Sequence, residues 1–382
     1  MHGKKRAEYK AKLRDPQTAT LLEEKAQQWH QLMGEIAKRR SGKSLEQAGT
    51  TLALLEKALV VNPDPLYLWN HRREWIIFLH ENNNSIGTDT NNSTSSNNSS
   101  TVEVTVDTEF RLTRAALQRN PKAYGAWMHR KWALQFYKTS SSKLEDELAL
   151  TADFLTLDER NFHCWNYRRF VVGCLGACAS NDKESLSESS YPYTGQWSSP
   201  TMGVQLIAER AKSTPNVDRH NAPDPIPSRL LQGEWDFTTE KIQRNFSNFS
   251  AFFYRSQLLP NYLEISDDAL NVWQNEFQII ENAVFTEPDD QTVWWYQALL
   301  LSFDENVFPM EDLRERLMEH VELLKELLED SPDSKWVLIG LHRLLDKLQI
   351  DFHHQRELLQ RLQQVDPDRT QRYQQLLDQI VE

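Results

Sequence analysis

Cysteine and glycine are scarce in this sequence, and long apolar runs are missing. The three cysteines, Cys164, Cys174 and Cys178, are an odd number and too few for a disulfide framework. The longest apolar run, residues 170–179, has ten residues, about half of the ~20 that a membrane-spanning helix needs. The first 30 residues are charged almost throughout and lack the apolar stretch of a signal peptide. We therefore expect a soluble, cytoplasmic protein without stable membrane insertion.

Basic residues are outnumbered, and the common catalytic motifs are missing. Lys and Arg against Asp and Glu give 43 − 55 = −12, which speaks against a general nucleic-acid-binding surface. The sequence has no Gly-rich phosphate loop, no Gly-x-Ser-x-Gly and no His-Glu-x-x-His. Cys174 and Cys178 have no second ligand pair, so we expect no metal site in this chain alone. The chain does not show a complete active site.

What the chain does have is a repeated phrase rich in tryptophan. It reads NPDPLYLWNHRREW at residues 62–75, NPKAYGAWMHRKW at 120–132 and DERNFHCWNYRRF at 158–170. Each copy begins with a turn signal and places an arginine three residues after a tryptophan. A turn followed by an aromatic, helix-compatible segment is typical of the second half of a helical hairpin.

The spacing of the phrase predicts a repeat protein. The motif positions are Trp69, Trp127, Trp165, Phe252, Trp294 and Trp336, with gaps of 58, 38, 87, 42 and 42 residues. Two inserts, at about 82–105 and 180–228, account for the two long gaps. About 37–42 residues then remain per repeat, the length of one helix–turn–helix unit. We predict an all-α fold, a right-handed superhelix of helical hairpins.

Composition marks the two inserts. Residues 82–101 contain 17 Asn, Ser or Thr out of 20, and residues 180–228 are rich in serine and proline. Such segments cannot bury enough apolar surface to fold, so we predict long disordered inserts. The expected organisation is a charged segment and helix over residues 1–50, followed by a helical repeat domain over 51–382.

The repeated residues first suggest a structural role. The tryptophans most simply wedge between neighbouring helices. The arginines lie on nearly the same helix face. There they could tie one repeat to the next through ion pairs and carbonyl bonds, form a basic strip facing a partner or an anion, or do both. The structural motif residues are Trp69, Arg72, Trp127, Arg130, Trp165, Arg168, Phe252, Arg255 and Trp294.

The turns before the motif helices hold the candidate binding residues. Lys122 and Tyr124 follow Asn120-Pro121, near a helix N-terminus whose backbone N–H groups favour anions. Asn161 and His163 occupy the same turn of the next repeat. Together these residues could cradle a phosphate or diphosphate, although solvated turn residues often have the same composition.

The phrase resembles the Pro-x-x-Tyr-x-x-Trp-x-x-Arg repeat of protein prenyltransferase α subunits. Residues 121–130 match it fully, while residues 159–168 have Phe162 for the tyrosine and no proline. The first copy shifts its tyrosine to Tyr67, and later copies have Phe252 for tryptophan and Gln297 for arginine. The resemblance covers roughly residues 50–345. With its opening Met-His-Gly and no further domain in view, the chain is most similar to the compact, fungal-like α subunits of Rab geranylgeranyltransferase (type II).

The resemblance implies a function and its partners. It implies a crescent of hairpins around a β subunit that holds the zinc, with no cofactor bound by this chain. The heterodimer would transfer geranylgeranyl from geranylgeranyl diphosphate to C-terminal cysteines of Rab GTPases presented by an escort protein. Matched by position, Lys122, Tyr124 and His163 would be catalytic, and Lys122, Asn161 and His163 would bind the diphosphate. His2 would either reach the partner's zinc or belong to a frayed end.

Two other functions stay open. The chain could be the α subunit shared by farnesyltransferase and geranylgeranyltransferase type I, which would act on Cys-a-a-X proteins. It could also be a non-catalytic helical-repeat adaptor.

Overall fold

The structure, a computed structural model, describes residues 15–86, 104–180, 228–303 and 308–380. Within these ranges the regular elements are helices, so the all-α prediction is confirmed. None of the helices in the described ranges is long and apolar enough to cross a membrane. His2 and the greater part of both expected inserts lie outside the described residues.

The chain divides into two compact units, residues 1–139 and 140–382. The helices of the first unit are α1 (Pro16–Lys38), α2 (Leu45–Val61), α3 (Leu66–Ile86), α4 (Val106–Arg119) and α5 (Tyr124–Phe136). Helix α2 pairs with α3 and α4 with α5 as helical hairpins, while α1 packs on α2. The first helices of the two hairpins also contact each other, as do the second helices, so the hairpins stack in two layers.

The second unit repeats this plan. Its helices are α6 (Ser141–Leu157), α7 (Phe162–Ser180), α8 (Ser228–Arg244), α9 (Phe249–Ile265), α10 (Ala269–Thr286), α11 (Gln291–Leu301), α12 (Met310–Asp330), α13 (Lys335–Leu348), α14 (Phe352–Val365) and α15 (Thr370–Leu377). Four hairpins pair α6 with α7, α8 with α9, α10 with α11 and α12 with α13, and the second helices pack in series from α7 to α13. Helix α14 then packs on α13, and α15 packs on α14.

The second helix of a hairpin begins before its motif aromatic residue. Helix α5 starts at Tyr124, three residues before Trp127. Side-chain caps set some of these starts: Asn248 accepts from the backbone N–H of Ala251 at 3.2 Å before α9. The caps satisfy N–H groups that have no partner inside the helix, so the short turn and the helix start form one local unit.

Three helices extend into sequence that does not favour a helix. Helix α3 continues to Ile86, past the expected start of the first insert, and α7 continues to Ser180, where the second insert is expected to begin. Helix α9 continues to Ile265 although it contains Pro260, which removes one backbone donor. Beyond the proline, the Tyr262 ring stacks on Trp235 with centroids 4.0 Å apart. Packing on α8 therefore holds the end of α9 in place.

Candidate functional site

Four motif tryptophans fix the hairpin turns. Their side chains are at most 4% exposed, and each indole Nε1–H donates to the backbone carbonyl six residues earlier at 2.8 Å. The indole thereby gives a turn carbonyl a donor and fixes the turn to the following helix. These residues are Trp69, Trp127, Trp165 and Trp294.

The motif arginines tie successive helices together from inside the core. Arg72 on α3 donates two hydrogen bonds, at 2.8 and 2.7 Å, to Glu109 on α4, and a third to the Leu52 carbonyl on α2 at 3.0 Å. Both side chains of the pair are at most 2% exposed. The same two-point pairing joins Arg168 to Glu234 and Arg255 to Glu276.

Burial decides between the two roles left open for these arginines. Arg72, Arg130, Arg168 and Arg255 are all at most 5% exposed. Arg130 donates to the Phe110 carbonyl at 2.8 Å and to Thr113 Oγ1 at 2.6 Å. Guanidinium groups placed in this way connect helices and do not form a basic strip on the surface.

The carboxylates also bind their own hairpin. Glu109 Oε2 lies 2.7 Å from His129 Nε2, and Glu276 accepts from the Tyr296 hydroxyl at 2.6 Å. Burial alone would raise the pKa of Glu109, but hydrogen bonds from His129 and Arg72 lower it to about 2. Burial lowers the pKa of His129 to about 4, against the influence of Glu109. We conclude that a charged carboxylate and a neutral imidazole meet in this core.

The series changes at the fifth repeat. Gln297 takes the place of the arginine, and its Nε2 lies 3.2 Å from His320 Nε2. His320 Nδ1 lies 3.3 Å from Glu281, which Arg316 also binds. The side-chain oxygen of Gln297, Oε1, is buried without a hydrogen-bond partner within the described ranges. A neutral amide–imidazole pair therefore replaces the buried ion pair here.

Lys122 and Tyr124 lie together in the turn that starts α5. The Lys122 backbone N–H donates to Asn120 Oδ1 at 3.1 Å, and Asn120 Nδ2 donates to Asp64 of the preceding turn at 2.7 Å. Lys122 is exposed and Tyr124 is 55% exposed. The turn is thus fixed by its asparagine, and it presents an ammonium and a phenol at the positive end of a helix.

The second predicted turn starts α7 in the other unit. Asn161 is 1% exposed, and its Oδ1 accepts from the backbone N–H groups of His163 and Cys164 at 3.1 and 3.3 Å. Its carbonyl oxygen therefore caps the helix. Phe162 is 60% exposed, and its ring centroid lies 4.0 Å from that of His163. The predicted roles of Asn161 and His163 toward a diphosphate stay predictions.

A cation that the sequence analysis missed belongs to this turn. Arg160 lies five residues before Trp165, as Lys122 does before Trp127. Its guanidinium donates to the Ser247 carbonyl at 2.5 Å, and it borders a cavity of about 400 Å³ that Asp290, Lys335 and others line. Counting back from the tryptophan would have found Arg160.

A second missed residue is Arg73, the neighbour of Arg72 on α3. Its Nε donates to His129 Nδ1 at 3.3 Å, and its guanidinium lies 5.6 Å from the centroid of the Trp132 ring. Burial lowers the pKa of Arg73, and Tyr124 offsets part of this decrease. The doubled Arg72-Arg73 in the sequence was the available signal.

Comparison with known proteins identifies the repeat. Residues 106–137, 144–175 and 231–262 match the family described as "Protein prenyltransferase alpha subunit repeat". These three segments are similar to that repeat. The three matches fall on the consecutive hairpins α4–α5, α6–α7 and α8–α9, which carry Lys122, Tyr124, Asn161 and His163.

Three curated relatives of this chain carry the same name. Geranylgeranyl transferase type-2 subunit alpha of Saccharomyces cerevisiae is 28% identical over 401 residues, covering 99% of both chains. The same subunit of Candida albicans is 26% identical over 80% of this chain and 75% of the relative. That of Rattus norvegicus is 30% identical over 73% of this chain but only 38% of the relative. The chain thus spans little more than a third of the rat subunit.

Among solved structures, "Candida albicans protein geranylgeranyltransferase-I complexed with GGPP" aligns with 73% of this chain and 85% of that chain. The TM-score is 0.35 and the identity 14%, a likeness too low to bear on fold or function.

Proposed function

We propose that this chain is the α subunit of a type-2 geranylgeranyl transferase. The yeast relative of that name matches along 99% of both chains, and this end-to-end match carries the proposal. With a β subunit, the enzyme would move geranylgeranyl from geranylgeranyl diphosphate to C-terminal cysteines of Rab GTPases presented by an escort protein. These substrates and partners come with the proposal.

The turn before α5 supports a role for this chain in the chemistry. The substrate thiolate attacks C1 of the prenyl diphosphate, and the bond from C1 to the diphosphate oxygen breaks, so negative charge grows on the departing diphosphate. Exposed Lys122 and Tyr124 sit at a helix N-terminus, where backbone dipoles also favour an anion. A fixed ammonium stabilises this developing charge more than it stabilises the ground state.

Tyr124 and His163 are assigned supporting roles in the same proposal. The Tyr124 phenol is a hydrogen-bond donor that can follow the diphosphate oxygens as their charge grows. The His163 ring lies against that of Phe162, and an imidazole N–H can donate to an anion. Phe162 lacks the hydroxyl that the family places there, so this position contributes no hydrogen bond.

Zinc would belong to the β subunit in this proposal, where it would hold the acceptor cysteine as a thiolate. Within the described ranges, no group of three His, Cys, Asp or Glu side chains is arranged to hold a metal ion. What this chain supplies is the cationic turn and the buried frame that positions it.

The test is a transfer assay on the native complex. The tagged chain is isolated from its host and given labelled geranylgeranyl diphosphate with two acceptors, an escorted Rab ending in two cysteines and a Cys-a-a-X protein. Labelling of the Rab and a stoichiometric zinc-bearing partner are expected. Labelling only of the Cys-a-a-X protein would assign the chain to the shared α subunit. An isolated chain with neither partner nor transfer would be an adaptor.

A further inference from the structure

The Gln297 amide interrupts the series of buried arginines and leaves one of its own atoms unpaired. Gln297 and His320 are both fully buried. The amide nitrogen, Nε2, lies 3.2 Å from His320 Nε2, whereas Oε1 has no hydrogen-bond partner among the described residues. A buried carbonyl oxygen without a donor costs free energy and is rare in folded proteins. Its presence here calls for a physical reason.

The observed contacts fit a neutral His320. An amide nitrogen can only donate, so His320 Nε2 accepts from Gln297 and carries no proton. The single proton of the neutral ring is then on Nδ1, which lies 3.3 Å from Glu281 Oε1. Arg316 binds the other oxygen of Glu281 at 2.8 Å. His320 thus donates to a carboxylate on one side and accepts from an amide on the other.

A second proton on His320 would reverse what the ring needs from Gln297. An imidazolium carries an N–H at both nitrogens, so Nε2 would face the hydrogens of the amide. A half-turn about the Cγ–Cδ bond of Gln297 exchanges the amide nitrogen and oxygen, which fill nearly the same volume. The oxygen that is unpaired beside a neutral His320 becomes the acceptor that the charged ring requires.

The far side of the amide can take either atom. It borders a space that Gly340 of α13 leaves open, where a Cβ would lie 3.1 Å from Gln297 Oε1 and 2.2 Å from Cζ3 of the Trp294 ring. The amide and the ring therefore face the same space. An amide N–H can interact with an aromatic ring, so the nitrogen that the half-turn brings here has a neighbour.

Two charged groups act on His320. Glu281 of α10 favours the imidazolium, and Arg316 of α12 opposes it. Helix α11 faces the ring with the neutral Gln297, and no charged group among the described residues of α13 acts on it. Burial lowers the pKa of His320 below its ordinary 6.5. The second proton is therefore taken up in the acid range.

We propose that Gln297 and His320 form a proton-driven switch between the hairpins α10–α11 and α12–α13, in which the amide rotates to accept from Nε2 when His320 takes up a proton. The proton comes from solvent, and no covalent bond other than the new N–H is made or broken. In the switched state the imidazolium joins Glu281 to Gln297 through two charge-assisted hydrogen bonds. The switch does not depend on the proposed function.

The test is Gln297→Met in the full-length chain, which removes the amide at nearly constant volume. NMR of ¹⁵N-labelled histidine follows the ring nitrogens of His320 as pH falls, with signals assigned by their loss in His320→Gln. A fixed amide only donates and opposes protonation, so its removal would raise the pKa of His320. A rotating amide favours the imidazolium, because hydrogen bonds to charged groups are stronger. Its removal should lower the pKa by about 0.5–1.

The matched control is Gln355→Met on α14, which removes another buried amide, one that donates to the Ile350 carbonyl at 2.8 Å. It should leave the pKa of His320 unchanged. The unfolding free energy is a second measurement: the loss caused by Gln297→Met should grow between pH 7 and pH 5. An unchanged or raised pKa of His320 in Gln297→Met, or a loss independent of pH, overturns the switch. A wild-type His320 that stays neutral until the chain unfolds overturns it as well.

Discussion

At the scale of single residues, the turn before α5 has some side chains that fix its conformation and others that are exposed to solvent. Asn120 fixes the turn through its side chain, while Lys122 and Tyr124 are exposed. The Trp127 indole N–H donates a hydrogen bond to the Pro121 carbonyl of the same turn at 2.8 Å. Replacing an exposed residue here should therefore change chemistry without changing the fold.

On the proposed function, Lys122→Ala should lower kcat about 10–1,000-fold, or about 1.4–4 kcal/mol, because the ammonium would act on charge that develops in the transition state. The heterodimer should form normally. Single-turnover transfer to an escorted Rab measures the effect, with Lys57→Ala at an exposed position of α2 as the control. Unchanged turnover in the intact mutant complex would remove Lys122 from the mechanism.

Gly125 illustrates a residue whose absence of a side chain is required. A Cβ there would lie 2.5 Å from Trp69 Cδ1, whereas exposed Gly34 in helix α1 has nothing within 4 Å. Gly125→Ala should destabilise the protein by about 1–3 kcal/mol. Gly34→Ala should stabilise it by about 0.5–1 kcal/mol, since alanine favours helix. Urea unfolding compares the two, and equal effects would contradict the contact.

At the scale of helices, buried ion pairs hold neighbours together. Arg255→Met leaves Glu276 charged in the core, with Tyr296 as its remaining partner, and should cost about 3–5 kcal/mol. Lys325→Met breaks the exposed pair with Glu322 and should cost less than about 1 kcal/mol. Chemical denaturation of both variants checks this, and a small loss for Arg255→Met would show that the pair contributes little.

The core around α4 and α5 should make stability depend on pH. The pKa of His129 is about 4 in the folded chain against an ordinary 6.5, so the unfolded chain takes up the proton first as pH falls. Stability is therefore lost below pH 6.5, by about 2 kcal/mol between pH 7 and pH 5. The depressed pKa of Glu109 acts in the same direction at lower pH, with stability lost below its ordinary value of 4.5 toward about 2.

Replacing His129 isolates this contribution. His129→Gln should flatten the loss between pH 7 and pH 5, whatever it does to stability at pH 7. His30→Gln, at an exposed position on α1, should leave the slope unchanged. The unfolding free energy of each variant is measured between pH 7 and pH 5. If it falls equally steeply in the wild type and in His129→Gln, His129 is not the cause of the pH dependence.

At the scale of the whole chain, much of the fold could be predicted because the repeat imposes it. The tryptophan–arginine spacing and the turn signals placed the hairpins. Helix ends were less predictable, since α9 passes Pro260 only because Tyr262 stacks on Trp235. Of the site, exposed Lys122 could be named from its motif. The contacts of Arg73 with His129 and Trp132 could not, because they depend on how α3 packs against α5.

Stability should be uneven along the second unit. Arg255–Glu276 joins the hairpin α8–α9 to α10 through side chains that are at most 3% exposed, whereas the next junction combines the neutral Gln297–His320 contact with the less buried Arg316–Glu281 pair. In a repeat array, neighbour contacts set local stability. Amides of α12 and α13 should exchange hydrogen through lower-energy openings than those of α8 and α9. Native-state exchange at low urea measures this, and slower exchange in α13 would contradict it.

The direction of the arginine bonds also concerns the order of synthesis. Arg72 pairs with Glu109, and Arg168 with Glu234, in each case a carboxylate that lies later in the chain. A hairpin leaving the ribosome therefore carries a cation whose anion has not yet been made, and it cannot close its core alone. These two hairpins complete their ion pairs only after the following helix has been synthesised. At Gln297 the order is reversed, because Glu281 of that hairpin is translated before Arg316, the cation that binds it.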